Sequence, residues 1–169
     1  MRVELKNGHW RPMTTTDTAS VSAIADRVHA SYPEDDAVFL ERLRLYPEGC
    51  AMFEQAGRAG AYAITHPWRY GEPPALNVLL GAIPAQPTTY YIHDIALLPE
   101  TRGSGAGSAI VEAVIAHAAA TGVPNVSLVA VNNSGPFWSR FGFEVVHEPK
   151  LAEKLLSYDA DARFMVRKL

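Results

Sequence analysis

Cysteine is nearly absent. Cys50 stands alone among 169 residues, so no internal disulfide can form and no Cys/His cluster offers a zinc site. Long apolar runs are missing too: no stretch approaches the ~18 residues a bilayer-spanning helix needs. The opening MRVELKNGHW has no apolar core of the kind a signal peptide carries. No membrane partner and a cytoplasmic location are therefore expected. An excess of positive charge is lacking as well, since 15 Lys and Arg against 18 Asp and Glu give a formal net charge of -3. That removes any global attraction to nucleic acid. Repeats and low-complexity tracts are absent, and no metal site is expected.

What is present is globular composition, 48% hydrophobic and 20% charged, in a length that suits one domain over residues 1–169. HWRPMT reads as a short strand. A helix follows, with Asp17 as its expected N-cap and Val21, Ile24, Ala25 and Val28 on one face. PEDDAVFLERLRLYP reads as a second helix with Val38, Phe39, Leu43 and Tyr46 inward and Pro47 closing it. CAMFEQAGRAGAYAITH reads as a hairpin turning between Gly57 and Gly60. Five prolines between Pro67 and Pro87 break the next segment into a long loop, whose apolar centre ALNVLLGAI is expected to pack on something. YYIHDIALL is a buried strand, Ile110 to Ala118 a helix face, VSLVAV a strand, NNSGPFWSRFGFEVV a short helix and strand, and ARFMVRKL a last strand. This order implies a mixed α/β (α+β) fold with a largely antiparallel sheet.

Between strand and helix lies Arg102-Gly103-Ser104-Gly105-Ala106-Gly107. Glycines at a helix start let backbone N–H groups approach an anion, and the helix dipole favours phosphate there. Arg102 adds a bidentate charge. A P-loop would need a lysine this segment lacks. A dinucleotide-binding turn would need a third glycine where Ser108 stands, and an acidic residue where the next strand ends in asparagines. The pattern [QR]-x-x-G-x-[GA] is matched in full.

With that motif, the strand IHDIALLPE and the segment VNNSGPFWSRFGF, the chain resembles the GNAT superfamily of acetyl-CoA-dependent N-acetyltransferases over roughly Tyr90 to Phe143. The resemblance implies a sheet splayed between a bulged central strand and its neighbour. The pantetheine arm of the coenzyme would lie in that gap, bonded by the backbone of Ile95, Ala96 and Leu97 and by Asn132. Gly103, Ser104, Gly105, Ala106, Gly107 and Ser108, with Arg102, would hold the pyrophosphate. Trp138 stands where the family usually has a tyrosine near the coenzyme sulfur. An indole N–H can donate a hydrogen bond but cannot act as the acid.

Attack of an amine on a thioester needs a base, because a primary amine with a pKa near ~10 is mostly protonated at neutral pH. Histidine titrates in the right range. YIHDIAL is similar to the central strand of arylalkylamine N-acetyltransferases, in which a histidine at the His93 position relays the proton with a second two residues earlier. Tyr91 stands at that earlier position and could hold a water. Strict alternation puts Tyr91, His93, Ile95 and Leu97 on one face and Ile92, Asp94, Ala96 and Leu98 on the other. Asp94 is either a substrate contact or a structural carboxylate beside the bulge. Tyr32, Phe39, Trp68 and Tyr70 could line an aromatic-friendly pocket, with Glu34, Asp35 and Asp36 attracting an amine. His9, His29, His66, His117 and His147 read as surface or loop residues. The implied function is transfer of an acetyl group from acetyl-CoA to a small-molecule amine in a ternary complex, by a monomer or homodimer. The alternatives are an acyl-CoA-holding sensor without turnover and a protein or peptide N-acetyltransferase.

Overall fold

Side-chain alternation along β3 (Cys50–Gln55) and β4 (Arg58–Trp68) creates two cores at once. In the computed structural model, which describes residues 1–169, Ala51, Phe53, Ala61 and Ala63 enter one cluster, and Cys50, Met52, Tyr62 and Ile64 the other. The sheet between them has eight strands. They include β1 (Val3–Leu5), β2 (Gly8–Pro12), β5 (Thr89–Leu97), β6 (Asn125–Ala130), β7 (Glu144–Val145) and β8 (Arg163–Lys168), in the order β1-β2-β3-β4-β5-β6-β8-β7. Every pairing is antiparallel except β5 with β6.

The helix α3 (Ala106–Ala120) covers the first face. Ile110, Val111, Val114 and Ala118 are fully buried at helical spacing, and each large apolar side chain removed from water stabilises by about 1.5–3 kcal/mol. Trp10 donates its indole N–H to the Ala106 carbonyl at 3.0 Å, fixing the start of that helix to β2. On the second face lie α1 (Thr18–Val28), through Val21 and Ile24, and α2 (Asp36–Leu45), through Phe39 and Leu43. Two short helices, α4 (Gly135–Ser139) and α5 (Ala152–Tyr158), flank the C-terminal strands.

Several local expectations are corrected. Asp17 stands at the N-cap position of α1, but its side chain makes no capping bond to that helix. It accepts the Thr14 N–H at 2.7 Å in a preceding 3-10 turn and pairs with Arg11. The hairpin turns at Ala56 and Gly57, both at positive φ, so β4 starts at Arg58 rather than after Gly60. It continues through Pro67 to Trp68, because β3 pairs with it only up to Ile64 and the proline's missing donor costs the ladder nothing there. The 69–88 loop is pinned by polar bonds rather than by its apolar centre. Glu41 accepts the N–H groups of Leu80 and Gly81, and Arg42 donates to the Val78 carbonyl, leaving Val78 and Leu79 exposed.

Two departures from regularity position the site. Along β4 and β5 the register runs Ile64↔Asp94 and then Thr65↔Ile92, so His93 is the extra residue of a bulge. On its other edge β5 pairs with β6 only at Tyr90, Tyr91 and Ile92. Beyond Ile92 the two strands part.

Candidate active site

The opened edge of β5 is the floor of a groove. Leu98 donates its N–H to Gly60, toward β4. By the two-residue alternation Ala96 also turns its backbone to β4, while Ile95 and Leu97 turn theirs to the open side. Ile95 and Leu97 line the groove, and the Ala96 side chain is buried in the opposite core. Ala96 therefore does not face the groove as expected. Asn132, at φ 53 just past β6, lines the facing wall.

The glycine turn divides by alternate residues. Gly103 and Gly105 have φ of 79 and 87, and positive φ at these alternate positions bends the turn into a concave nest of N–H groups. Gly103, Gly105, Gly107 and Ser108 line the groove, as does Arg102. None of those four backbone N–H groups has a partner within the chain. Ser104 and Ala106, expected beside them, turn inward. Ser104 N–H donates to Thr101, and Ala106 N–H to the Ser104 hydroxyl at 3.2 Å. Four open donors at a helix N-terminus with a guanidinium beside them suit a diphosphate. Arg140, not anticipated from the sequence, also lines this groove. Trp138 lines it too, packed edge-on against Phe143 and Phe137.

At the other end the groove meets a smaller pocket, and both are lined by His29, His93 and Asp94. The bulge changes which side chains arrive there. Ile92 and Ile95 both belong to the α3-side core, while Asp94 and Ala96 face the α1–α2 side. His93, the inserted residue, joins Asp94 on that side instead of sharing the Ile95 face as strict alternation implies.

Two histidine–carboxylate pairs result. His93 Nε2 lies 2.8 Å from Glu34 Oε1, both side chains 6% exposed. The other Glu34 oxygen accepts the Asn77 N–H at 3.0 Å, tying the loop to the same carboxylate. His29 Nε2 lies 2.8 Å from Asp94 Oδ1, and Asp94 Oδ2 accepts the Tyr62 hydroxyl. Burial pushes the Asp94 and Glu34 carboxyls upward, but the charges and hydrogen bonds of His29 and His93 outweigh it and hold both below the usual range. Burial likewise works against the His29 cation, yet Asp94 overcomes it and raises its pKa. The Tyr62 and Tyr91 hydroxyls are raised well above the usual value, chiefly by burial, and stay protonated.

His29 is thus no surface residue. It follows α1 directly and is aimed at Asp94. His66, 1% exposed in β4, is held to a pKa of about 3 by burial, and His117 accepts or donates at the Tyr46 hydroxyl. Of the four aromatics expected around the pocket, only Tyr32 lines it. Phe39 is 3% exposed in the core against Tyr62, because α2 turns that face to the sheet. Trp68 ends β4 with its indole bonded to Glu72, and Tyr70 packs on Phe164. Tyr91 lines the pocket, joined by Tyr158, which closes α5 and has no sequence signal of its own. Tyr158 donates to the Pro74 carbonyl and Tyr32 to Asp159, straps that close the pocket's outer end.

The His29–Asp94 pair makes stability depend on pH. The raised histidine contributes fully below its ordinary value of 6.5 and loses its contribution as pH rises through the raised value. The lowered carboxyl contributes above 3.8 and is lost as pH falls below that. The melting-temperature difference between wild type and His29→Gln should therefore be largest between these limits and shrink above neutrality. A difference that is flat from pH 5 to 9 overturns the assignment of a charged pair.

The Acetyltransferase (GNAT) family model matches residues 14–143. Among solved structures the chain is similar to Ard1 from Thermoplasma volcanium, at 20% identity and TM-score 0.71 over 96% of this chain and 98% of that one. It is similar to the ribosomal-protein-S18-alanine N-acetyltransferase from Escherichia coli, at 20% identity and TM-score 0.64 over 95% and 93%. A third likeness, at 16% identity and TM-score 0.73 over 94% and 98%, is to GphF, a GNAT-like decarboxylase in complex with isobutyryl-CoA. No curated protein sequence matches the chain. No helix is long and apolar enough to cross a membrane.

Proposed function

The chain belongs to the acetyltransferase (GNAT) family, and from that premise we propose that it moves the acetyl group of acetyl-CoA to the amine of a small molecule, by direct attack in a ternary complex. One observation carries this reading: a groove with a diphosphate nest at one end and an unpaired strand edge along its floor meets a smaller pocket at His93. A pocket strapped at its outer end by Tyr32–Asp159 and Tyr158–Pro74 suits a compact molecule better than a polypeptide threading through.

Acetyl-CoA supplies the thioester carbonyl. The chain's own residues do the rest. Gly103, Gly105, Gly107 and Ser108 offer N–H donors to the diphosphate, with Arg102 beside them. Ile95 and Leu97 offer backbone groups to an amide-bearing arm, and Asn132 a side chain from across the groove. His93, with Nε2–H donated to Glu34, keeps Nδ1 free to take the amine proton, directly or through a water held by Tyr91. The amine nitrogen bonds the acyl carbon, the carbon–sulfur bond breaks, and the pair goes to sulfur. Coenzyme thiolate is an adequate leaving group (~8.5, by analogy with cysteine), so an acid at Trp138 is dispensable. Cys50, buried and pushed up to about 12 by burial, is not an acyl carrier.

The test is thiol release from acetyl-CoA over a broad amine panel, with calorimetric coenzyme titration beside it. Amine-dependent release is expected. Tight coenzyme binding with no release would instead favour an acyl-CoA sensor. Trp138→Tyr, which places a hydroxyl in the groove and leaves a little volume unfilled, should change kcat less than tenfold. A larger gain would show that acid assistance limits the rate.

A further inference from the structure

The splay between β5 and β6 has an apex, and one side chain stands on either side of it. Ile92↔Leu128 is the last rung of the ladder, so His93 and Val129 are the first residues beyond it on their strands. Both turn the same way. Val126, Leu128 and Ala130 enter the α3-side core, which by alternation puts Val129 and the following Val131 on the other face, the one the bulge gives to His93. The groove, about 950 Å³, and the pocket, about 60 Å³, share five lining residues: His29, His93, Asp94, Val129 and Val131. These five form a neck. Its polar members are already engaged, His93 with Glu34, His29 with Asp94, and Asp94 also with Tyr62. The two valines are its apolar side.

We propose that Val129, with Val131 beside it, sets the length of the acyl group this protein accepts on coenzyme A and holds it to acetyl. The proposal rests on the acyl-transfer reading above and names what selects the donor. An arm lying along β5 from the nest brings its thioester to the apex, because the rung Ile92↔Leu128 closes the sheet ahead of it and both of those side chains are buried in the α3-side core. The acyl group there turns out of the sheet plane, toward the neck, and Val129 meets it. Val129 pairs with Phe164 of β8, and the restricted rotamers of a β-branched residue keep its two methyls from swinging aside. An acetyl methyl ends at the neck. A longer chain presses on the valines and takes the space beyond, from which the amine attacks. That space is small and strapped at its outer end, by Tyr32 to Asp159 and by Tyr158 to the Pro74 carbonyl.

The experiment is calorimetric titration of the protein with coenzyme A, acetyl-CoA and butyryl-CoA, which needs no acceptor. One methylene in a fitted apolar site typically changes discrimination by about 10–200-fold. Wild type should therefore bind butyryl-CoA at least tenfold more weakly than acetyl-CoA, about 1.4 kcal/mol. Val129→Ala should cut that ratio to about threefold or less, and Val129→Ile should widen it. Val28→Ala, on the groove wall but outside the neck, should leave the ratio unchanged. Each ratio is taken within one protein and so reads fit rather than folding. Should Val129→Ala not fold, Val129→Ile decides alone. Equal affinity for acetyl-CoA and butyryl-CoA in wild type overturns this proposal and leaves acyl transfer standing. So does a ratio unmoved by the Val129 substitutions, or one that Val28→Ala shifts as far. No binding of any of the three coenzymes overturns the coenzyme site itself.

Discussion

His93→Ala should lower kcat by roughly 10²–10⁴-fold and leave acetyl-CoA affinity nearly unchanged. The size follows from the role, since deleting a positioned base returns the proton transfer to water. The selectivity follows from place. His93 sits at the junction of groove and pocket, while the nest from Gly103 to Ser108 and the β5 edge beyond Ile92 do not depend on its side chain. Glu34 sharpens the test. A Glu34→Gln protein retains a hydrogen-bond partner for His93 but withdraws the charge, so it should fall between wild type and His93→Ala, with the acidic limb of the pH–rate profile moved. Near-normal kcat in a folded His93→Ala protein would make the bulge histidine structural and place the base elsewhere, with His29 the next residue to test.

Gly107→Asp should weaken acetyl-CoA binding at least tenfold, about 1.4 kcal/mol, without harm to the fold. A Cβ at Gly107 would meet only the side chains of Leu97 at 3.5 Å and Phe137 at 3.8 Å. Those are ordinary contacts, and both residues line the groove. The new carboxylate is thus directed into the groove, where it repels a diphosphate and occupies its approach. In the second position of α3 an acidic residue also suits the helix dipole, so melting temperature should hold or rise. Gly105→Val is a poorer probe, since φ of 87 would strain any branched side chain whatever the ligand does. Unchanged calorimetric affinity in Gly107→Asp would remove the nest from the coenzyme site.

The parts of this molecule legible in its sequence are those encoded by neighbours along the chain. Glycine spacing after a buried strand marked the turn and the start of α3, the glycine turn marked the hairpin of β3 and β4, and an apolar run marked β5. The family's splayed sheet followed from those motifs and is present. What escaped depends on insertion or distance. The resemblance implied a bulged strand, but one extra residue at His93 reverses the face of every residue on one side of it, and no local pattern fixes where such a slip falls. His29 lies 65 positions from Asp94, so its isolated imidazole looked like surface until the fold brought a carboxylate to it. Phe39 was correctly an inward aromatic, but inward meant the α2 core rather than the pocket. The short strand β1 and the seven-residue α5 are too brief for periodicity to resolve.

The three rungs joining β5 to β6 have a consequence for cooperativity. Strands β1 to β5 are linked by neighbouring pairings in sequence order, and β6, β8 and β7 form a second block. Only Tyr90↔Val126, Tyr91↔Ser127 and Ile92↔Leu128 carry the ladder from one block to the other. The joint between the two blocks is short where the sheet is also open, and the groove runs along that line. A molecule lying there, bonded to β5 on one side and to Asn132 on the other as proposed above, would act as a missing strand and splint the two blocks together. Its binding free energy would add to folding free energy by mass action, so saturation with a coenzyme held in this groove should raise the melting temperature and join the two blocks into one cooperative sheet.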